Sequence, residues 1–111
     1  MSDERARRVG LNESLFRHVN EQIEELNRSF GGDLPTLTVI CECADGDCTE
    51  RIELPIRDYE HVREDSLSYI VVPGHEAAEF ESVVESRDGW FVVRKQGEAA
   101  TRLADETDPR S

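Results

Sequence analysis

The sequence predicts a small α+β domain, and three patterns in it carry that reading. Residues 12–30 place apolar side chains at helical spacing, residues 37–54 read as strand, polar turn and strand, and residues 80–95 repeat the strand, turn and strand pattern. Together they predict an N-terminal amphipathic helix packed on an antiparallel sheet of two hairpins plus a central strand, with a short helix inserted between strands.

In the first segment Leu15, Phe16, Val19, Ile23, Leu26 and Phe30 form the apolar stripe of the expected helix. Asn12 suits its N-cap, Leu11 and Phe16 stand at hydrophobic-staple positions, and Gly31-Gly32 supplies a C-terminal stop. Glu24 and Arg28 are spaced as an i,i+4 pair, and Glu21 and Glu25 read as its solvated side. Residues 1–11 are expected to be a flexible N-terminus.

After Pro35, residues 37–43 and 49–54 alternate as two half-buried strands around the turn Ala44-Asp45-Gly46-Asp47. If Cys43 faces Cys48 across that turn, Leu37, Val39, Cys41 and Cys43 share a face with Cys48, Glu50, Ile52 and Leu54. Pro55 can open a short helix through Arg63 that buries Ile56, Tyr59 and Val62. Residues 67–72 follow as an apolar strand ended by Pro73-Gly74. Asp88-Gly89 is a turn signal between residues 80–85 and 90–95, where adjacent Trp90 and Phe91 must point to opposite faces, so one of them suffices for the core. Residues 12–96 thus read as a single domain, and residues 97–111 as a loose polar tail.

Chain length and charge narrow the function classes. The 111 residues allow one modest core. With 13 Lys and Arg against 25 Asp and Glu, the net charge of -12 repels phosphate backbones and anionic bilayers, so no direct nucleic-acid or membrane binding is expected. The same charge suits a protein that stays monomeric, one that docks on a basic partner surface and one that works in salty cytoplasm, and charge alone does not separate the three. The charged first ten residues do not read as an export signal, and the longest apolar run, Tyr69-Ile70-Val71-Val72, is far too short to span a bilayer, so the expected compartment is the cytoplasm.

The informative chemistry is Cys41, Cys43 and Cys48 in the spacing C-x-C-x4-C. Three thiols in a reducing compartment point to metal ligation, redox chemistry or simple packing rather than to structural disulfides. Thiolates along a strand and across its turn can converge on one ion, and structural zinc takes four ligands. His75 is the first choice for the fourth, because it follows the Pro73-Gly74 turn that can hold an imidazole still; His61 is the second choice and His18 the third. Cys41, Cys43, Cys48 and His75 would form a Cys3His zinc site. Cys41 and Cys43 would equally serve as small hydrophobes on the apolar face of a strand. In a redox version, a disulfide would join Cys43 to Cys48. The turn acids Asp45, Asp47 and Glu50 lack the spacing of a calcium loop and read as solvated.

The run from Val39 through the three cysteines to Leu54, the segment Asp58-Tyr-Glu-His-Val-Arg63 and the turn Val71-Val-Pro-Gly-His-Glu76 resemble a group of small uncharacterised proteins from actinomycete bacteria. The resemblance spans roughly residues 12–97. It implies that the C-x-C-x4-C hairpin and the Pro-Gly-His turn belong together, and it brings no activity with it. The expected function is that of a small non-enzymatic binding or regulatory protein with a structural zinc site. The alternative is a thiol redox sensor, and third comes a thiol-dependent enzyme built on a Cys–His pair.

Overall fold

In the computed structural model, which describes residues 2–29 and 35–110, the elements run α1 (Ser2–Ser29), β1 (Thr36–Ile40), β2 (Arg51–Pro55), α2 (Ile56–Arg63), β3 (Ser68–Val71), β4 (Glu81–Arg87), β5 (Trp90–Lys95) and α3 (Glu98–Glu106). The α+β class is as expected. The expected helix end at Phe30 and the Gly31-Gly32 stop lie outside the described residues.

The strands divide into two antiparallel sheets, β1-β2 and β3-β5-β4. β1 pairs with β2 so that Leu37 faces Leu54 and Val39 faces Ile52, and all four are buried. Period-two alternation fixes this register, since a one-residue slip would turn every one of them to solvent. In the second sheet β5 is the middle strand, and β3 is buried along its whole length. Trp90 enters the core while Phe91 is half-buried, as alternation requires. β4 forms an edge with a bulge between Val83 and Glu85, and Gly89, at φ 86°, takes the left-handed position of the β4–β5 turn.

Three expectations need correction. α1 begins at Ser2 rather than at an Asn12 cap, so residues 2–11 are helical; Asn12 lies inside α1 and donates its side-chain amide to the Ala44 carbonyl at 2.8 Å. Residues 98–106 form α3 instead of a loose tail, burying Ala100 and Ala104. α1 and α3 meet through small residues: Ala6 is buried, and a Cβ on Gly10 would come within 2.7 Å of Leu103. Beyond α3, Arg110 reaches back to Glu60 and to Glu21, which also accepts the Tyr59 hydroxyl at 2.9 Å, so Glu21 is engaged rather than merely solvated.

The third correction concerns which face of α1 is buried. Leu15 and Leu26 are exposed, whereas Glu13, Arg17, Asn20 and Glu24 are buried at helical spacing. Each has a partner: Lys95 for Glu13, the Ser66 and Ala104 carbonyls for Arg17, the Ile40 backbone for Asn20, and Arg28 for Glu24. Arg17 and Asn20 close backbone hydrogen bonds that the loop before β3, the end of β1 and α3 leave open, and Glu13 and Glu24 are held by ion pairs; buried polar groups are costly without partners.

Lys95 bridges Glu13 and Glu81, at 2.9 Å from the latter, in a fully buried triad. Two carboxylates share one ammonium, so a negative charge is left over, and burial, reinforced by Glu81, raises the Glu13 pKa well above its usual value. A raised carboxyl pKa favours the folded state below the ordinary titration range and loses that contribution as pH rises through the folded-state pKa. Glu13→Gln is therefore expected to flatten the decline in stability that sets in as pH rises above the ordinary carboxyl range, by up to about 1.4 kcal/mol per pH unit. Urea titrations of both proteins across pH would check this; parallel pH profiles would refute it.

Candidate metal centre

The C-x-C segment continues from β1, and the Cys41 N–H still donates to the Glu50 carbonyl at 2.9 Å, which extends the hairpin register one step beyond the strands. A tight turn follows, with the Cys48 N–H donating to Asp45 O at 3.0 Å and the Asp47 N–H to Asp45 Oδ1 at 2.9 Å. Asp45 is thus a turn former. The Asn12 clamp on Ala44 ties this loop to α1.

His75 arrives from the other sheet. Its N–H donates to the Val72 carbonyl at 3.0 Å, closing a four-residue turn with Pro73 second and Gly74, at φ 93°, third. Proline presets the second position and glycine tolerates the third, the signature of a type II turn. Nothing lies within 4 Å of a Cβ built on Gly74, so Gly74→Ala meets only backbone strain. It is expected to cost about 1–2 kcal/mol in urea unfolding; a neutral result would mean that the turn relaxes without cost.

The structure brings Cys41, Cys43, Cys48 and His75 together, with one ligand atom from each and all four atoms within 4.8 Å of one another. His75 Nδ1 lies 3.7 Å from Cys41 Sγ and 3.6 Å from Cys48 Sγ. Cys41 and Cys43 are buried, while Cys48 and His75 are half-buried; Cys43 and His75 border an open recess with Asp45, Gly74 and Glu76. His61 sits elsewhere, 3.2 Å from Glu85, and His18 is exposed on α1, so neither lower-ranked histidine joins the cluster.

The electrostatics favour a thiolate. The neighbouring Cys41 thiol lowers the Cys43 pKa to about 5 against the opposing effect of burial, with His75 assisting. Cys41 is pushed up by Cys43 and by burial, and Cys48 is raised mainly by burial. Cys43 is therefore the thiol of the cluster that ionises most readily, and the Val72 N–H donates to Cys41 Sγ at 3.2 Å. Thiolate sulfur in a metal site takes this kind of outer support.

Glu42, between the two cysteines, points the opposite way, as alternation demands. Its N–H donates to the Ile70 carbonyl at 2.7 Å, and its carboxylate accepts the Ile70 N–H at 3.0 Å, the Asn20 side chain at 2.7 Å and Arg63 at 2.5 and 2.7 Å. One residue thus joins both sheets, α1 and α2, and fixes the backbone from which the thiols project. Sequence reading missed Glu42, Asn20 and Arg63; alternation put Glu42 on the face opposite the apolar one, and only the docking of β3, α1 and α2 buries it.

Among the described residues, no helix is long and apolar enough to cross a membrane. No protein-family model matches the chain, and neither a curated protein nor a solved structure matches it.

Proposed function

We propose that Cys41, Cys43, Cys48 and His75 hold one zinc ion as a structural site in a small, non-enzymatic binding or regulatory protein. The distances around His75 carry this reading. With Zn–S near ~2.3 Å and Zn–N near ~2.05 Å, a tetrahedral ion sets sulfur and nitrogen about 3.6 Å apart, and the two distances from Nδ1 are 3.6 and 3.7 Å. Three soft thiolates with an imidazole favour zinc over harder ions. Four protein ligands also fill a tetrahedral shell, which suits a structural rather than a catalytic ion. The net charge of -12 suits a partner with a basic surface.

The test is the metal content of protein purified under reducing conditions, together with the reactivity of its thiols. One zinc per chain, and three thiols that react only after chelation, are expected. A protein that stays metal-free when offered zinc would overturn the reading. A second reading, a redox sensor with a Cys43–Cys48 disulfide, rests on the low pKa of Cys43 beside the half-buried Cys48. Under mild peroxide it requires rapid loss of two thiols in metal-free protein, with Cys41 left reduced.

A further inference from the structure

The outward face of α1 is unlike that of an ordinary surface helix. Leu11, Leu15 and Leu26 are 43%, 60% and 58% exposed, with Phe16, Val19 and Ile23 half-buried beside them. The helix cannot roll to bury these side chains, because its inner face is committed to Glu13, Arg17 and Asn20, whose buried partners would lose their hydrogen bonds and charges. The apolar ridge is therefore a fixed feature of the folded chain.

From these observations we infer that α1 pairs with α1 of a second copy of this chain, antiparallel, in a two-fold symmetric dimer. The exposed ridge recurs in alternating steps of four and three along Arg8, Leu11, Leu15, His18, Gln22 and Glu25, the spacing that keeps one seam facing a partner helix. Charge sets the direction. Arg8 and Glu25 are exposed at opposite ends of this ridge, and among the described residues neither takes part in an ion pair within the chain. In an antiparallel pair with Arg8 opposite Glu25, Leu15 meets His18 and Leu11 meets Gln22, so each exposed leucine is covered by a polar side chain of the other copy and two ion pairs close the ends of the seam. A parallel pair would set arginine against arginine and glutamate against glutamate.

The size of the face sets the affinity. The 28 residues of α1 make a helix ~42 Å long. A seam along a single helix from residue 8 to residue 25 is small beside the interfaces of stable complexes, so the dimer is a reversible one that dissociates on dilution. Symmetry uses the same patch on both copies and closes the assembly at two.

Sedimentation velocity of the full chain in reducing buffer, from low to high micromolar concentration, tests the proposal. A dimer that dissociates on dilution is expected. Leu15→Lys, set against His18 of the second copy, should weaken it at least ~100-fold, because symmetry places the change twice, with the far-ultraviolet circular dichroism unchanged; Leu15→Ser serves if the lysine perturbs the helix. Arg8→Glu should weaken association about tenfold, and adding Glu25→Arg should restore it. A wild-type chain that is monomeric throughout overturns the proposal and leaves the ridge to another partner. A dimer indifferent to Leu15 or to the charge exchange overturns it equally.

Discussion

Chelating the metal from the zinc-loaded protein is expected to lower its melting temperature by roughly 15 °C, with full recovery when zinc is returned. The size follows from linkage. A ligand present at a thousand times its dissociation constant stabilises the folded state by about 4 kcal/mol, a large share of the ~5–15 kcal/mol available to a domain. The loss should be partial rather than complete, because the buried side chains of Tyr69, Val71, Val92 and Val93 in β3 and β5 make an apolar core that does not depend on the ion. Cys41→Ser and His75→Ala should each abolish the difference between loaded and chelated samples. Calorimetry with and without chelator decides the matter: identical transitions for the zinc-exposed and the chelated wild type would remove the ion from the stability of this fold.

Removing Glu42 is expected to cost about 3–5 kcal/mol, nearly as much, although the residue touches no metal. Glu42→Ala would strand the Arg63 guanidinium, 1% exposed and 5.1 Å from the centre of the Tyr59 ring, without a countercharge. Breaking one half of a buried ion pair typically costs ~3–5 kcal/mol, whereas replacing both halves with apolar groups is often near neutral. Glu42→Leu combined with Arg63→Met should therefore recover much of the loss, short of what the Ile70 N–H and Asn20 amide forfeit with the carboxylate. Urea unfolding of the two single variants and the double variant gives the coupling directly. A Glu42→Ala protein within 1 kcal/mol of wild type would show that Arg63 finds water instead.

Where large apolar residues and turn chemistry agree, the sequence is a good guide. Leu37, Val39, Ile52 and Leu54 announce a hairpin and its register, Trp90 to Lys95 announces a strand, and Pro73-Gly74 announces the turn that presents His75. The cysteine cluster was legible for the same reason, since alternation through the hairpin beyond β1 carries the thiols to one face. The misses share a different cause. Ala6, Gly10, Ala100 and Ala104 build the α1–α3 contact from side chains too small to stand out in a hydropathy pattern. The rotation of α1 was hidden because the usual rule buries the apolar stripe, while here Glu13, Arg17 and Asn20 have partners that only the tertiary structure supplies.

The separation of the four ligands along the chain has a kinetic consequence. Cys41, Cys43 and Cys48 lie within a single tight hairpin, but His75 is 27 residues beyond Cys48, with α2 and β3 between them. Closing that longer loop costs about 1 kcal/mol more entropy than closing the hairpin, and the loop shortens only as α2 and β3 dock. An imidazole recruited only once α2 and β3 have docked would complete the site late in folding. An ion completed so late does little to speed folding and mainly slows unfolding, so its contribution would appear as the lifetime of the native protein rather than as the ease of making it.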